Sequence, residues 1–433
     1  MKKRSLIFIV FALVCGLLAA WLVNMDRGEK EVTQKPAPSP VISQAPTAEE
    51  PQTSEAPKTI DIPTHKLKRY EADAKEALRS TREAYKKADK GSSSNVVLSS
   101  QGMRDIVLAL GQAGYPAVDY FGKMDMQQPQ QLLDFGAAIN AGQDAEAVYY
   151  VVHDDGSIHA NNLIRQGGLS CVFTVSVEWD GRDPRVYSSG QHELSTLKMT
   201  DKGWLICTRA GAPWATNGNA YTFLRVKPYD ATLRQLTEKY MSGNPYAEND
   251  LFTISWDRDS IGRLDMSSLF VFLYSRYYGT VPMTSNTLGA VAGFKSVPNS
   301  DLYIAPSSQF EEVISYYLGI DESSVAGYSD YSSKYGGYLV LGSDQSYYND
   351  LVPKLPFPEV TSYITNGDGS ITLMVDAVYP AYETDCAFSH ELTVMDTEDG
   401  FYYVSNYMHR SEGDIMPPRV LASERKNQIA TLK

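Results

Sequence analysis

Residues 6–23, LIFIVFALVCGLLAAWLV, run for 18 positions without a charge or a strongly polar group. At 1.5 Å of rise per residue, such a helix spans roughly 27 Å, about one bilayer core. Lys2, Lys3 and Arg4 stand before it, and positive residues stay on the cytoplasmic side. Everything after Asp26 is therefore expected outside the cell. A cleaved signal peptide has a shorter apolar stretch, about 7–15 residues, and a small-x-small site. The nearest match here, Leu18-Ala19-Ala20, begins with a large residue, and Trp21-Leu22-Val23 continues the run. Cys15 follows Val14 in mid-run, which does not suit lipidation. The spacing favours an uncleaved single-pass anchor, with the membrane as the partner of residues 6–23.

Residues 28–64 cannot fold by themselves. Pro36, Pro38, Pro40, Pro46, Pro51, Pro57 and Pro63 alternate there with Ala, Ser, Thr, Gln and Glu. Too little apolar surface is available to offset the ordering entropy. Proline favours an extended spacer, which reaches roughly 110 Å at about 3.1 Å per residue. A disordered linker that holds a folded domain off the bilayer is the expectation.

The net charge of −13 divides unevenly. Residues 1–27 are basic, residues 28–63 are acidic to the same extent, and the whole −13 falls on the remainder. That balance argues against nucleic acid, whose phosphates need a basic face. It also disfavours attraction to anionic lipid. Four cysteines in 433 residues exclude a disulfide-dense scaffold.

The remaining chain reads as helices followed by strands, twice, which is an α+β pattern. Tyr70, Ala74, Ala77, Leu78, Thr81 and Tyr85 mark one helical face, and Met103, Ile106, Val107 and Leu110 mark a second. A third helix runs from Pro129 to Ala141. Strands follow at 147–153, 158–164, 170–179, 192–200 and 204–209, with Asp154-Asp155-Gly156-Ser157 as a hairpin turn. In the second half, helices are expected at 231–241, 265–278 and 308–318, the last with a Ser308/Glu311 capping box. A strand is expected at 251–256 and a closing meander from 360 to 406. This division places one α+β domain at 65–215 and a second, tyrosine-rich one at 216–433. Shifted by 198 positions, Thr174–Val177 falls on Thr372–Val375 and His192-Glu193-Leu194 on His390-Glu391-Leu392. Two related units, NTF2-like or cystatin-like, are the expectation from element order.

Catalytic motifs are scarce. There is no GxSxG, HExxH, CxxC or phosphate loop. SxxK occurs at Ser195–Lys198 and Ser423–Lys426, but no KTG accompanies it and the first pair sits on a predicted strand. His153 and His159 flank an Asp-Asp turn and could approach a metal, although Asp-Asp-Gly is ordinary turn chemistry. His192 and His390 precede equivalent Glu-Leu pairs, and strand-end histidines explain them. Asp257, Asp259 and Asp265 form an acidic loop before a helix. Such carboxylates could serve a hydrolase acting on carbohydrate or wall polymer; helix-start charge is the simpler reading. No catalytic residue, metal set or cofactor is assigned.

Tyrosine is the unusual residue. Of 29, 22 fall after position 216, and eight lie between 316 and 348. Tyrosine joins rigid apolar area to a polar tip, which suits binding surfaces. Tyr328, Tyr331, Tyr335 and Tyr338 are the candidate ligand-binding residues.

The stretch Ile304-Ala305-Pro306-Ser307-Ser308-Gln309-Phe310-Glu311-Glu312-Val313-Ile314, with Tyr317 and Ile320-Asp321, resembles a block in uncharacterised extracytoplasmic proteins of Gram-positive anaerobes related to clostridia. Asp368–Val375, Ser389–Val394 and Tyr403–Asn406 resemble further blocks there. That family is a domain of unknown function. The resemblance implies an extracytoplasmic location and a related fold, and it supplies no catalytic residues. Taken together, these readings describe a membrane-anchored extracytoplasmic binding module of the cell envelope, with an envelope protein or glycan as partner.

Overall fold

The computed structural model describes residues 59–92, 95–120, 122, 124–211, 221–243, 245–246, 249–280, 283–284, 286–342, 355–417 and 427–429. The apolar run at 6–23 and residues 28–58 of the linker lie outside the described residues. Among the described residues, no helix is long and apolar enough to cross a membrane. Residues 57–433 form one compact unit. The architecture is α+β.

Helix α1 (Thr64–Ser80) buries Tyr70, Ala74, Ala77 and Leu78, the stripe that helical periodicity demands. The sequence reads as one helix through Tyr85, but the chain breaks at Thr81. Its hydroxyl donates to the Leu78 carbonyl (2.8 Å), which competes with the helical ladder. A short α2 (Arg82–Lys87) follows. Helix α3 (Ser100–Gln112) starts at Ser99, whose hydroxyl accepts from the Gly102 N–H (3.1 Å).

A seven-stranded sheet is built from β1 (Ala117–Asp119), β2 (Ala145–Val152), β3 (Ile158–Gln166), β4 (Leu169–Asp180), β5 (Asp183–Met199), β6 (Trp204–Arg209) and β7 (Tyr221–Arg225), in that order. Only β1 and β2 run parallel, joined by α4 (Gln130–Asn140). The rest is an antiparallel meander that curls into a half-barrel. Both faces are covered. Ile158, Ala160, Phe173 and Val175 pack with α1 and α3, while Leu163, Val172 and Leu205 pack with α4. Cys171 and Cys207 are free and buried, one in each core.

The second half packs α5 (Ala231–Met241), α6 (Met266–Tyr278) and α7 (Ser307–Leu318) against two further sheets. The small one combines β8 (Lys295–Ser296), β9 (Tyr303–Pro306), β10 (Tyr331–Ser332) and β11 (Gly337–Val340), with α8 (Glu322–Val325) between. The larger one is the meander β12 (Phe357–Thr365), β13 (Ile371–Val378), β14 (Ser389–Thr397) and β15 (Gly400–His409). Helix α6 is buried nearly all round, as its sequence requires. Residues 251–256 are not a strand. Thr253 and Ile254 both donate to the Asp250 carbonyl, and the Asn249 side chain accepts from Leu251, so the backbone turns there. Helix α7 has no side-chain cap; Glu311 accepts instead from the Tyr338 hydroxyl (2.7 Å).

The two meanders share strand order but not register. His390 lies opposite Val375, whereas His192 lies opposite Val172, five positions from the place that the 198-residue offset requires. His390 is fully buried and His192 is exposed, so the two histidines are not equivalent.

Polar side chains stitch the halves together. Arg225 holds both carboxylate oxygens of Glu359 (2.5 and 2.6 Å), and the Trp204 indole donates to the same group (2.9 Å). Lys202 donates to Asp376 and to the Asp385 carbonyl. Thr196 and Thr208 both donate to Glu383.

Candidate functional site

Strand β5 is the longest in the fold, and it changes partner part-way along. Its first part pairs with β4 as far as Cys171–Glu193; its last part pairs with β6 from Leu194–Arg209 onward. A bulge at Ser195 marks the change. Strand β4 begins two residues earlier, at Leu169, and leaves β5 at that point. The two strands therefore splay into a wedge. A pocket of about 370 Å³ fills it, walled by Ile60, Leu169, Leu194 and Leu197 and by the Gly168 turn. That volume is in the range of small-ligand sites.

Arg165, Lys198 and Glu193 line the pocket with Ser170, Ser195 and Thr196, although the Ser195 and Thr196 hydroxyls donate to the Thr208 carbonyl and to Glu383. Among the described residues, none of the three charged side chains forms an ion pair. Arg165 also keeps its Nε buried without a hydrogen-bond partner. Most other buried polar atoms in the fold are paired, as expected from desolvation. Ser195 donates to the Thr208 carbonyl (3.2 Å) rather than to Lys198, so the SxxK spacing builds no serine–lysine dyad.

The backbone of β5 is open on one side of the wedge. Thr200 bonds to Trp204 across the hairpin, so alternate residues Lys198 and Thr196 face β6. Met199 faces away, and there the Asn140 amide takes both of its backbone groups (2.6 and 3.1 Å). Leu197, two residues earlier, lines the pocket and turns its N–H and C=O to the same side as Met199. No described group takes them.

The tyrosine candidates do not gather into one surface. Tyr328 and Tyr331 are exposed, at 43% and 46%. Tyr335 is half-buried against the Val297–Leu302–Leu339 cluster. Tyr338 is fully buried, stacked on Phe310 with ring centroids 4.0 Å apart. Tyr331 touches its edge at 5.2 Å. Tyr338→Ala should destabilise the fold by about 3–5 kcal/mol, as loss of a core aromatic does. Tyr328→Ala and Tyr331→Ala should each shift stability by under about 0.5 kcal/mol in denaturant titrations. Equal losses at all three positions would contradict that division.

His153 and His159 stack with ring centroids 4.0 Å apart, and His159 Nε2 meets the Tyr187 hydroxyl at 3.1 Å. Burial, then the His153 charge, pushes His159 down to about 4; burial also lowers His153. Both rings are neutral at pH 7. Among the described residues, no group of three His, Cys, Asp or Glu side chains is placed to hold a metal. Asp257 is exposed and accepts from Ser260, which lowers its pKa. Asp265 caps α6 by accepting from the Ser268 N–H. His390 sits in a core network, its Nδ1 2.6 Å from Asn406 and its Nε2 2.9 Å from the Tyr246 hydroxyl.

Sequence reading missed Arg165 and Glu193, and passed over Ser195 and Lys198 as a failed motif. The usable signal was the β3–β4 turn at Gly167-Gly168, both with positive φ, followed by an unusually long polar strand.

A family model covers residues 67–420, most of the chain. The chain belongs to the family of unknown function DUF6070. No curated protein and no solved structure matches it. The matched segment of this DUF6070 member runs from within α1 through β15 and so contains the wedge, apart from Ile60.

Proposed function

We propose that this DUF6070 member is a non-catalytic binding module displayed on the outer side of a cell membrane. Residues 6–23 are its anchor, residues 28–64 its spacer, and residues 65–433 its recognition part. The observation that carries this reading is the wedge pocket. It holds unpaired charges of both signs but a single carboxylate, Glu193, among the described residues. Acid–base hydrolysis of a glycoside needs a pair. In the acidic loop, Asp257 is engaged in a turn bond with Ser260 and Asp265 caps α6. Tyr328 and Tyr331 add exposed aromatic area for a larger envelope partner, protein or glycan. We read the helix-covered, curled meander as NTF2-like or cystatin-like.

Two measurements test the proposal. After carbonate extraction of membranes, the full-length chain should stay in the pellet, and protease added to intact cells should remove residues 65–433. Full release of a shortened chain, or protection from protease, would overturn the topology. Crosslinking in intact cells should capture an envelope partner, and joint substitution of Tyr328 and Tyr331, the exposed pair, should abolish capture with little change in melting temperature.

A further inference from the structure

Strand β12 forms one edge of the closing sheet, and the two ends of that edge are covered differently. The pairing phase is fixed at both ends of β13. Ala377 exchanges main-chain bonds with Phe388 and Ala387 (2.9 and 2.7 Å), so odd-numbered residues of β13 turn their peptide groups to β14 and even-numbered ones to β12. At the hairpin the Asn366 N–H donates to the Ser370 carbonyl (2.8 Å), in the same phase. Met374 and Thr372 therefore take Ser362 and Ile364, and the bulge at Thr361 shifts the alternation by one. The residues of β12 that turn outward are Pro358, Val360, Tyr363 and Thr365.

The first two are closed. Pro358 has no N–H to offer. Val360 donates to the Thr237 hydroxyl (3.2 Å), and its carbonyl accepts from the Tyr229 hydroxyl (2.7 Å). Among the described residues, nothing takes the outward groups of Tyr363 and Thr365. Positions 361–365 are exposed without a break, Tyr363 at 45% and Ile364 at 60%. Folded proteins normally blunt such an edge with charge or proline. Here no charge or proline stands from Val360 to Asn366, in a chain whose net charge is −13.

The open stretch is its own complement. Set two copies antiparallel, with a two-fold axis at Ile364. Tyr363 of each copy then faces Thr365 of the other, and each such pair exchanges both of its main-chain bonds. Every unclaimed group of the stretch is used. The two Ile364 side chains meet across the axis in the close, non-hydrogen-bonded position, and Tyr363 packs on Thr365, an aromatic on a β-branched residue. No like charges are brought together, a condition that any self-contact of a strongly acidic chain must meet. We propose that the protein self-associates through β12 as a two-fold dimer, joining two four-stranded sheets edge to edge. The Val360 bonds on one side and the Asn366–Ser370 turn on the other limit the contact to these residues. Strands this short bury less than the ~1,200 Å² of a standard stable interface, so the dimer is reversible.

Sedimentation equilibrium of the full-length protein in density-matched detergent tests the dimer. Wild type should show a monomer–dimer equilibrium. Ile364→Lys sets like charges on the axis and should weaken association about tenfold or more. Ile364→Glu alone should do the same, and an equal mixture of the two variants should recover a dimer. Both should keep the wild-type melting temperature, because Ile364 is exposed. In a Cys15→Ser, Cys386→Ser background, Ile364→Cys should oxidise to a disulfide-linked dimer, since a Cα separation of about 4.5 Å across such a pair suits the bridge. Tyr407→Cys, exposed on the opposite edge strand of the same sheet, should not. A wild type that stays monomeric would overturn the inference, including where a different protein is found on this edge. So would Ile364→Lys associating as tightly as wild type, or Tyr407→Cys crosslinking as readily as Ile364→Cys.

Discussion

Replacing His390 with alanine is expected to destabilise the protein by about 3–5 kcal/mol, the range for removing a buried ring. The imidazole is fully buried and links two elements. The Asn406 amide donates to the Ile254 carbonyl (2.8 Å), so its oxygen faces His390 Nδ1 and accepts from it. Nδ1 therefore carries the proton, and Nε2 accepts from the Tyr246 hydroxyl. Alanine would leave Asn406 and Tyr246 unpaired as well as opening a cavity. Chemical denaturation at pH 7 measures the loss.

The same ring makes stability depend on pH. Burial pushes His390 down to about 4, against about 6.5 in an unfolded chain. Between those values the unfolded state binds more protons, so stability rises with pH. The stabilisation is complete above pH 6.5 and is lost as pH falls toward 4. At 1.36 kcal/mol per unit, the loss from this group alone is about 3 kcal/mol. His159, also pushed down to about 4, acts in the same window. His390→Gln should flatten the acid limb of a stability–pH curve by roughly half without abolishing it. An unchanged acid limb would show that His390 is not buried as a neutral ring.

Replacing Glu359 with alanine should cost about 3–5 kcal/mol, because it leaves the Arg225 charge without its partner in a largely buried site. Glu359 is 5% exposed, and it ties β7 and the Trp204 ring to β12. Arg225 also lies over the Trp204 and Tyr229 rings, so its position depends on the same cluster. The double variant Arg225→Met with Glu359→Met should recover most of the loss, since a pair replaced by apolar groups of similar volume is often neutral. If the two single losses simply add in the double variant, the residues are not coupled. Unfolding should remain one transition in the wild type, with sheets of both halves melting together.

How much of this was legible in the sequence depends on range. Helix α1 was visible because Tyr70, Ala74, Ala77 and Leu78 repeat at helical spacing, and α6 because Leu269–Leu273 is apolar on every side. The β2–β3 hairpin was visible in its Asp-Gly turn. Such signals are local. The α1–α2 break depends on one hydroxyl at Thr81, whose helical alternative looks equally good in sequence. Residues 251–256 alternate like a strand, but Asn249 and Asp250 supply turn bonds that alternation does not report. The candidate site was the least legible part. Tyr338 reads like Tyr328 in composition, and only its stack on Phe310 makes it core. Arg165, Glu193 and Lys198 are separated along the chain and line one pocket because β5 exchanges one neighbour for another. Strand pairing, not spacing, sets that juxtaposition.

The clamp of Asn140 on Met199 has a consequence beyond the pocket. An exposed strand edge is a template on which one chain can recruit another and propagate a ladder. By occupying both main-chain groups of Met199, one amide side chain stops the edge of β5 after Leu197. What remains is too short to nucleate a fibre.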